Sequence, residues 1–177
     1  MIKNTENSYG IISKLLHWTM SIVIITLICV GYYMSDLPAS PEKFEIYGMH
    51  KATGVIILSL ALIRIFWKYR NITPSLPENL PHWQAAASKI NTGLLYFLMF
   101  LMPLSGLFMS LYSGYAVNVF GLFTIPAFER KERLATLAKE FHEAFAVILI
   151  VSISLHVAAA LYHHFIRKDE LLKRMIK

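Results

Sequence analysis

The chain has 177 residues, the size of one ordinary domain. Hydrophobic residues make up 56% and charged residues only 16%, with a mean hydropathy of +0.51. A water-soluble chain carries about 25% charge to keep its surface wet, so a soluble enzyme, a disordered tail and a coiled coil are excluded. The net charge of +6 does not point to nucleic acid. The basic residues cluster at the ends of apolar runs, which is membrane-anchoring behaviour. Cys29 is the one cysteine, which excludes an internal disulfide and a two-cysteine haem attachment.

A membrane-spanning helix needs roughly 20 apolar residues. The first candidate runs over 15–34 without a charge. It is too long for the apolar region of a signal peptide and lacks a small-residue cleavage site, so it reads as a retained helix. The second runs over about 46–67, with Lys51 near one end and Arg64 near the other. A connector over 68–82 follows; its Pro74, Pro77 and Pro81 predict an extended segment. The third span covers about 90–112, with a kink expected at Pro103. Residues 114–128 are uncharged but broken by Gly114, Gly121 and Pro126, and are expected to fold over the end of the bundle. The fourth span covers about 141–166. The KDEL at 168–171 is internal and is not a retention signal. The expected fold is all-α: one domain over 1–177, an integral membrane four-helix bundle.

The N-terminus, the 64–89 region and the C-terminus share one side and hold 11 Lys and Arg, Lys177 included, against 6 on the other. That imbalance predicts both termini in the cytoplasm.

The seven histidines are the main functional signal. His17, His50, His142 and His156 lie inside or at the rim of the apolar spans, where a polar ring without a partner is costly. A single such ring reads as an interhelical hydrogen bond; four at matched depths do not. His142 and His156 are 14 residues apart, about 21 Å along a helix and nearly on one face. His50 opens the second span at the outer side and pairs in depth with His142. His17 begins the first span at the inner side and pairs with His156. Two ligands per level do not make a structural zinc site. They do supply one axial group on each face of a haem. Without attachment cysteines the haem is b-type, and two histidines on iron favour electron transfer over oxygen binding.

Small residues flank these positions: Gly54 after His50, Ala144 and Ala146 near His142, and Ala158, Ala159 and Ala160 after His156. They suit a flat macrocycle and ordinary helix packing equally. Arg64 follows His50 by 14 residues, on the same face at the inner level, where a haem propionate would find it; its other reading is a snorkelling anchor. His163, seven residues below His156, faces a propionate, a quinone headgroup or water. His82, placed in the connector, and His164 lie at no paired depth.

The motifs KLLHW at 14–18, GMHKATG at 48–54, FHEAF at 141–145 and LHVAAALYHHF at 155–165 resemble the bacterial cytochrome b561 family over essentially the whole chain. These are small four-helix dihaem membrane proteins related to the cytochrome b subunits of hydrogenases. The resemblance implies His17, His50, His142 and His156 as axial ligands of two haem b groups. It implies electron exchange with the quinone pool of the bacterial cytoplasmic (inner) membrane, with ubiquinone as acceptor. Small stand-alone relatives are associated with superoxide oxidation coupled to quinone reduction. One departure is Thr92, four residues before Tyr96, where relatives often carry a histidine. Set against superoxide steering, the outer side carries 6 basic and 7 acidic residues, a net charge of about −1; only Lys51 offers local attraction. Two rival readings remain. One is a membrane-anchor subunit that takes electrons from a docked redox partner protein. The other is a haem-free transporter or channel.

Overall fold

The computed structural model describes residues 1–76 and 80–176. Pro77 of the connector and Lys177 of the charge count lie outside them. Helices α1 (Ile11–Asp36), α2 (Pro41–Tyr69), α3 (His82–Tyr112) and α4 (Glu132–Tyr162) make up most of the chain. All four are long and apolar enough to cross a membrane.

Their ends follow from local chemistry. Ser40 caps α2, its Oγ accepting the Lys43 N–H at 3.2 Å, and Pro41 takes the first helical position, where no N–H is needed. Helix α3 ends in a Schellman turn. The Tyr115 N–H reaches the Ser110 carbonyl at 3.0 Å and the Gly114 N–H reaches Leu111 at 3.1 Å. Gly114 stands at φ +85°, a conformation that favours glycine. The four helices outrun the apolar spans because their charged outer turns stay helical beyond the hydrocarbon. His50 is therefore nine residues into α2 rather than at its opening, and His142 ten residues into α4. His82 begins α3 and does not belong to the connector. Helix α3 continues as one element through Pro103.

Backbones pack closely between α1 and α2, α2 and α3, and α3 and α4. Among the described residues, α4 has no comparable packing against α1 or α2. Met20, Ile57, Ala61 and Met99 form the buried middle of the bundle, flanked by Val23, Ile24, Leu27 and Leu60. Large apolar side chains such as Ile22, Leu62, Phe97, Val151 and Leu155 point outward and are more than half exposed or nearly so. In water that belt would aggregate; in lipid it faces its own kind of solvent.

Residues 114–128 do cover one end of the bundle, with a feature the sequence did not announce. Strands β1 (Val117–Val119) and β2 (Phe123–Ile125) form an antiparallel hairpin with Val119 opposite Phe123. Val117 and Val119 are buried with Leu111, against Val55 and Leu107.

The opposite end gathers both termini and the α2–α3 connection. Asn4 Nδ2 donates to the Ile72 carbonyl (2.8 Å), the Ser75 N–H to Glu6 (3.2 Å), the Tyr9 N–H to Arg174 (3.3 Å) and Trp18 Nε1 to Met175 (2.9 Å). The grouping of these three segments on one side is thus as four spans require. The two ends are called here the hairpin end and the termini end.

Candidate functional site

The four span histidines fall at two levels, across the two junctions of α4 that lack close backbone packing. At the termini end, His17 of α1 and His156 of α4 bring their ring centres to 6.2 Å. At the hairpin end, His50 of α2 and His142 of α4 are close enough to interact electrostatically. Among the described residues, no three His, Cys, Asp or Glu side chains gather as a metal-binding group. Each level offers a pair of imidazoles as candidate ligands.

The surroundings of the two levels differ. His142 Nδ1 lies 3.0 Å from the Met102 carbonyl oxygen and 3.1 Å from Ser105 Oγ, while Ser105 Oγ donates to the same carbonyl at 2.8 Å. A carbonyl only accepts, so Nδ1 carries the proton and Nε2 keeps a free lone pair. The ring also presses on α3: a Cβ added to Gly106 would lie 2.7 Å from His142 Cε1 and 3.0 Å from Nδ1. Across the level, His50 Nδ1 is a buried polar atom without a hydrogen-bond partner. Gly31 of α1 lies against its Cε1, which an added Cβ would meet at 3.5 Å. Beside this level Lys51 Nζ donates to Ser110 Oγ at 3.2 Å and lies 5.8 Å from the Tyr115 ring centre.

At the termini end the partner is a cation. Arg64 Nη2 lies 2.9 Å from His17 Nδ1, and a guanidinium only donates, so this ring holds its lone pair at Nδ1. Arg64 and Lys68 both face the Tyr96 ring, at 5.5 and 4.2 Å. No carboxylate is salt-bridged to Arg64 among the described residues. Tyr9 lies in the same neighbourhood; burial, reinforced by the Tyr96 phenol, pushes its hydroxyl above the ordinary tyrosine value.

Sequence reasoning named His17, His50, His142, His156 and Arg64, and the structure groups them at two levels. It missed Met102, Ser105 and Gly106, which hold His142, and the Tyr96 ring beside Arg64. His163 lies at the termini end of α4. It closes α4, its N–H bonding the Ala159 carbonyl, and opens a π-helical turn, His163–Arg167. Its Nδ1 lies 2.5 Å from Asp169 Oδ2 and the ring is buried. Contact with any ligand is left to its Nε2.

The residues at each level fit a haem. A metal–imidazole bond is about 2 Å and a ring nitrogen lies about 1.1 Å from its ring centre, so two imidazoles on one metal have centres roughly 6 Å apart. The His17–His156 separation matches. Glycines against both hairpin-end rings, a bare Nε2 on His142 and the loose α4 junctions leave room and lone pairs for a flat macrocycle.

Comparison with known proteins agrees. Residues 8–177 match the family described as prokaryotic cytochrome b561. The chain is 32% identical to Cytochrome b561 homolog 2 of Escherichia coli (strain K12), covering 98% of this chain and 93% of that one. It is 30% identical to Cytochrome b561 homolog 1 of the same organism, covering 91% and 92%. It is 25% identical to a protein of Yersinia pestis named Probable superoxide oxidase CybB, covering 97% of each. Four apolar helices, paired histidines across the bundle and a match over nearly the whole length lead to one conclusion: this chain belongs to the prokaryotic cytochrome b561 family, membrane cytochromes of electron transport.

Proposed function

We propose that the chain is a dihaem b-type cytochrome of the bacterial inner membrane that carries electrons between a donor at the hairpin end and the quinone pool at the termini end. The observation that carries this reading is the grouping of four imidazoles at two levels, with His17 and His156 in ring contact, across the junctions where α4 leaves α1 and α2. His50 and His142 would hold one haem, His17 and His156 the other. Bound haem iron supplies one-electron Fe(III)/Fe(II) chemistry.

The chain's own residues do the rest. Met102 and Ser105 orient the His142 ring. At the other level, ligation through Nε2 requires the His17 proton to move to Nδ1, which is then no acceptor for Arg64. Arg64 is released for an anionic partner, and a haem propionate is the group at hand. His163, steadied by Asp169, offers Nε2 to a quinone headgroup, ubiquinone in the first instance. Both termini face the cytoplasm on this reading, which the basic residues of the termini end support.

Superoxide is the donor to try first, because one relative is named Probable superoxide oxidase and Lys51 holds a positive charge beside the hairpin-end pair. The test is a visible spectrum of the purified protein, before and after adding ubiquinol and, separately, a superoxide source. A low-spin b-type spectrum that reduces with either reagent is expected. Haem-free protein would sink the reading. A haem protein inert to both would favour an anchor subunit with a protein donor.

A further inference from the structure

His142 and His17 hold opposite tautomers, and the difference lies in residues outside the ligand set. At the termini end the group facing His17 Nδ1 is a guanidinium, a donor and a cation. At the hairpin end the groups facing His142 Nδ1 are the Met102 carbonyl at 3.0 Å and Ser105 Oγ at 3.1 Å. The Ser105 hydroxyl proton is committed to the Met102 carbonyl at 2.8 Å, so its lone pairs face Nδ1. Both neighbours therefore accept, and one ring proton serves both. Ser105 is buried, so water does not replace it. Gly106 completes the arrangement, since any Cβ there would strike the ring at 2.7 Å.

We propose that Ser105 and Gly106, with the Met102 carbonyl, are positioning residues for the hairpin-end haem: they hold His142 with Nε2 bare and set how strongly its imidazole donates to iron. The inference rests on the dihaem reading and deepens it. An imidazole whose second nitrogen donates to acceptors is a more basic ligand. A more basic ligand favours the ferric state and lowers the midpoint potential. Among the described residues, His17 Nδ1 faces the Arg64 guanidinium, a donor, and has no such acceptor. The hydrogen bonds to His142 therefore lower the midpoint of the hairpin-end haem, the direction that suits the donor side of the proposed path.

The test is a redox titration with low-spin EPR of the full-length protein carrying Ser105→Ala or Gly106→Ala. The hairpin-end haem is identified as the one missing from His50→Ala. Ser105→Ala is expected to keep two haems and raise the midpoint of the hairpin-end haem alone, with shifted g values for that signal only. A packing role would leave both readouts in place, so an unchanged or lowered midpoint overturns the proposal. Gly106→Ala is expected to halve the haem content, sparing the termini-end haem, whose retained spectrum shows that the bundle has assembled. Retention of both haems, or loss of both, contradicts it. Failure of the dihaem reading itself would appear earlier, as a wild-type protein without two haems.

Discussion

His142 and His17 differ in what touches Nδ1, and mutation should separate their levels. His50→Ala and His142→Ala are each expected to remove the same haem, His17→Ala and His156→Ala the other. A double mutant within one pair should be little worse than its singles, because residues serving one unit are not additive. Haem content by extraction checks this; loss of a haem in His82→Ala or in His164→Ala would break the pairing. His163→Ala should keep both haems and slow quinone reduction, a change read from quinol-driven reduction kinetics; an unchanged rate removes His163 from the acceptor site. The four span histidines were legible as candidates because 14 residues return a helix to the same face and because histidine is rare in apolar spans. Met102, Ser105 and Gly106 were not. A serine and a glycine in an apolar helix read as ordinary packing residues, and only the packing of α3 on α4 reveals that they face His142. The Asp169 contact of His163 depends on the π-helical turn, which breaks the periodicity from which a side chain's direction is read.

Among the elements, the spans were visible as apolar runs while their ends were not. The first turns of α2, α3 and α4 carry charges or polar groups that a hydropathy reading assigns to loops, yet Ser40 with Pro41 is a start signal of its own. The hairpin escaped because three-residue strands leave too short an alternation to recognise. Gly114 marks the point where α3 must turn into it. Gly114→Ala forces a side chain into φ +85°, at a cost of about 1–2 kcal/mol. Thermal unfolding in detergent should show a lowered midpoint with haem binding intact in the folded protein; an unchanged midpoint would mean the Schellman turn contributes nothing. Ser40→Ala should cost about 1 kcal/mol through loss of the α2 cap, read in the same assay.

For the whole molecule, the fold is a bundle in which α4 closes on α3 by direct packing and faces α1 and α2 through imidazoles. Contact of the N-terminal segment, the α2–α3 connection and the C-terminal segment places both termini at one end, and the basic excess there is the ground for proposing that this end faces the cytoplasm. Reporters fused at both termini should read cytoplasmic and one inserted after Ser40 should read periplasmic; the reverse pattern would exchange the donor and quinone sides. The central claim is two haems per chain, each shared by one pair of histidines. Haem per protein, measured on the wild type beside His50→Ala/His142→Ala, tests it most directly. Two in the wild type and one in the double mutant is the predicted result; one in the wild type, or none in the double mutant, contradicts it.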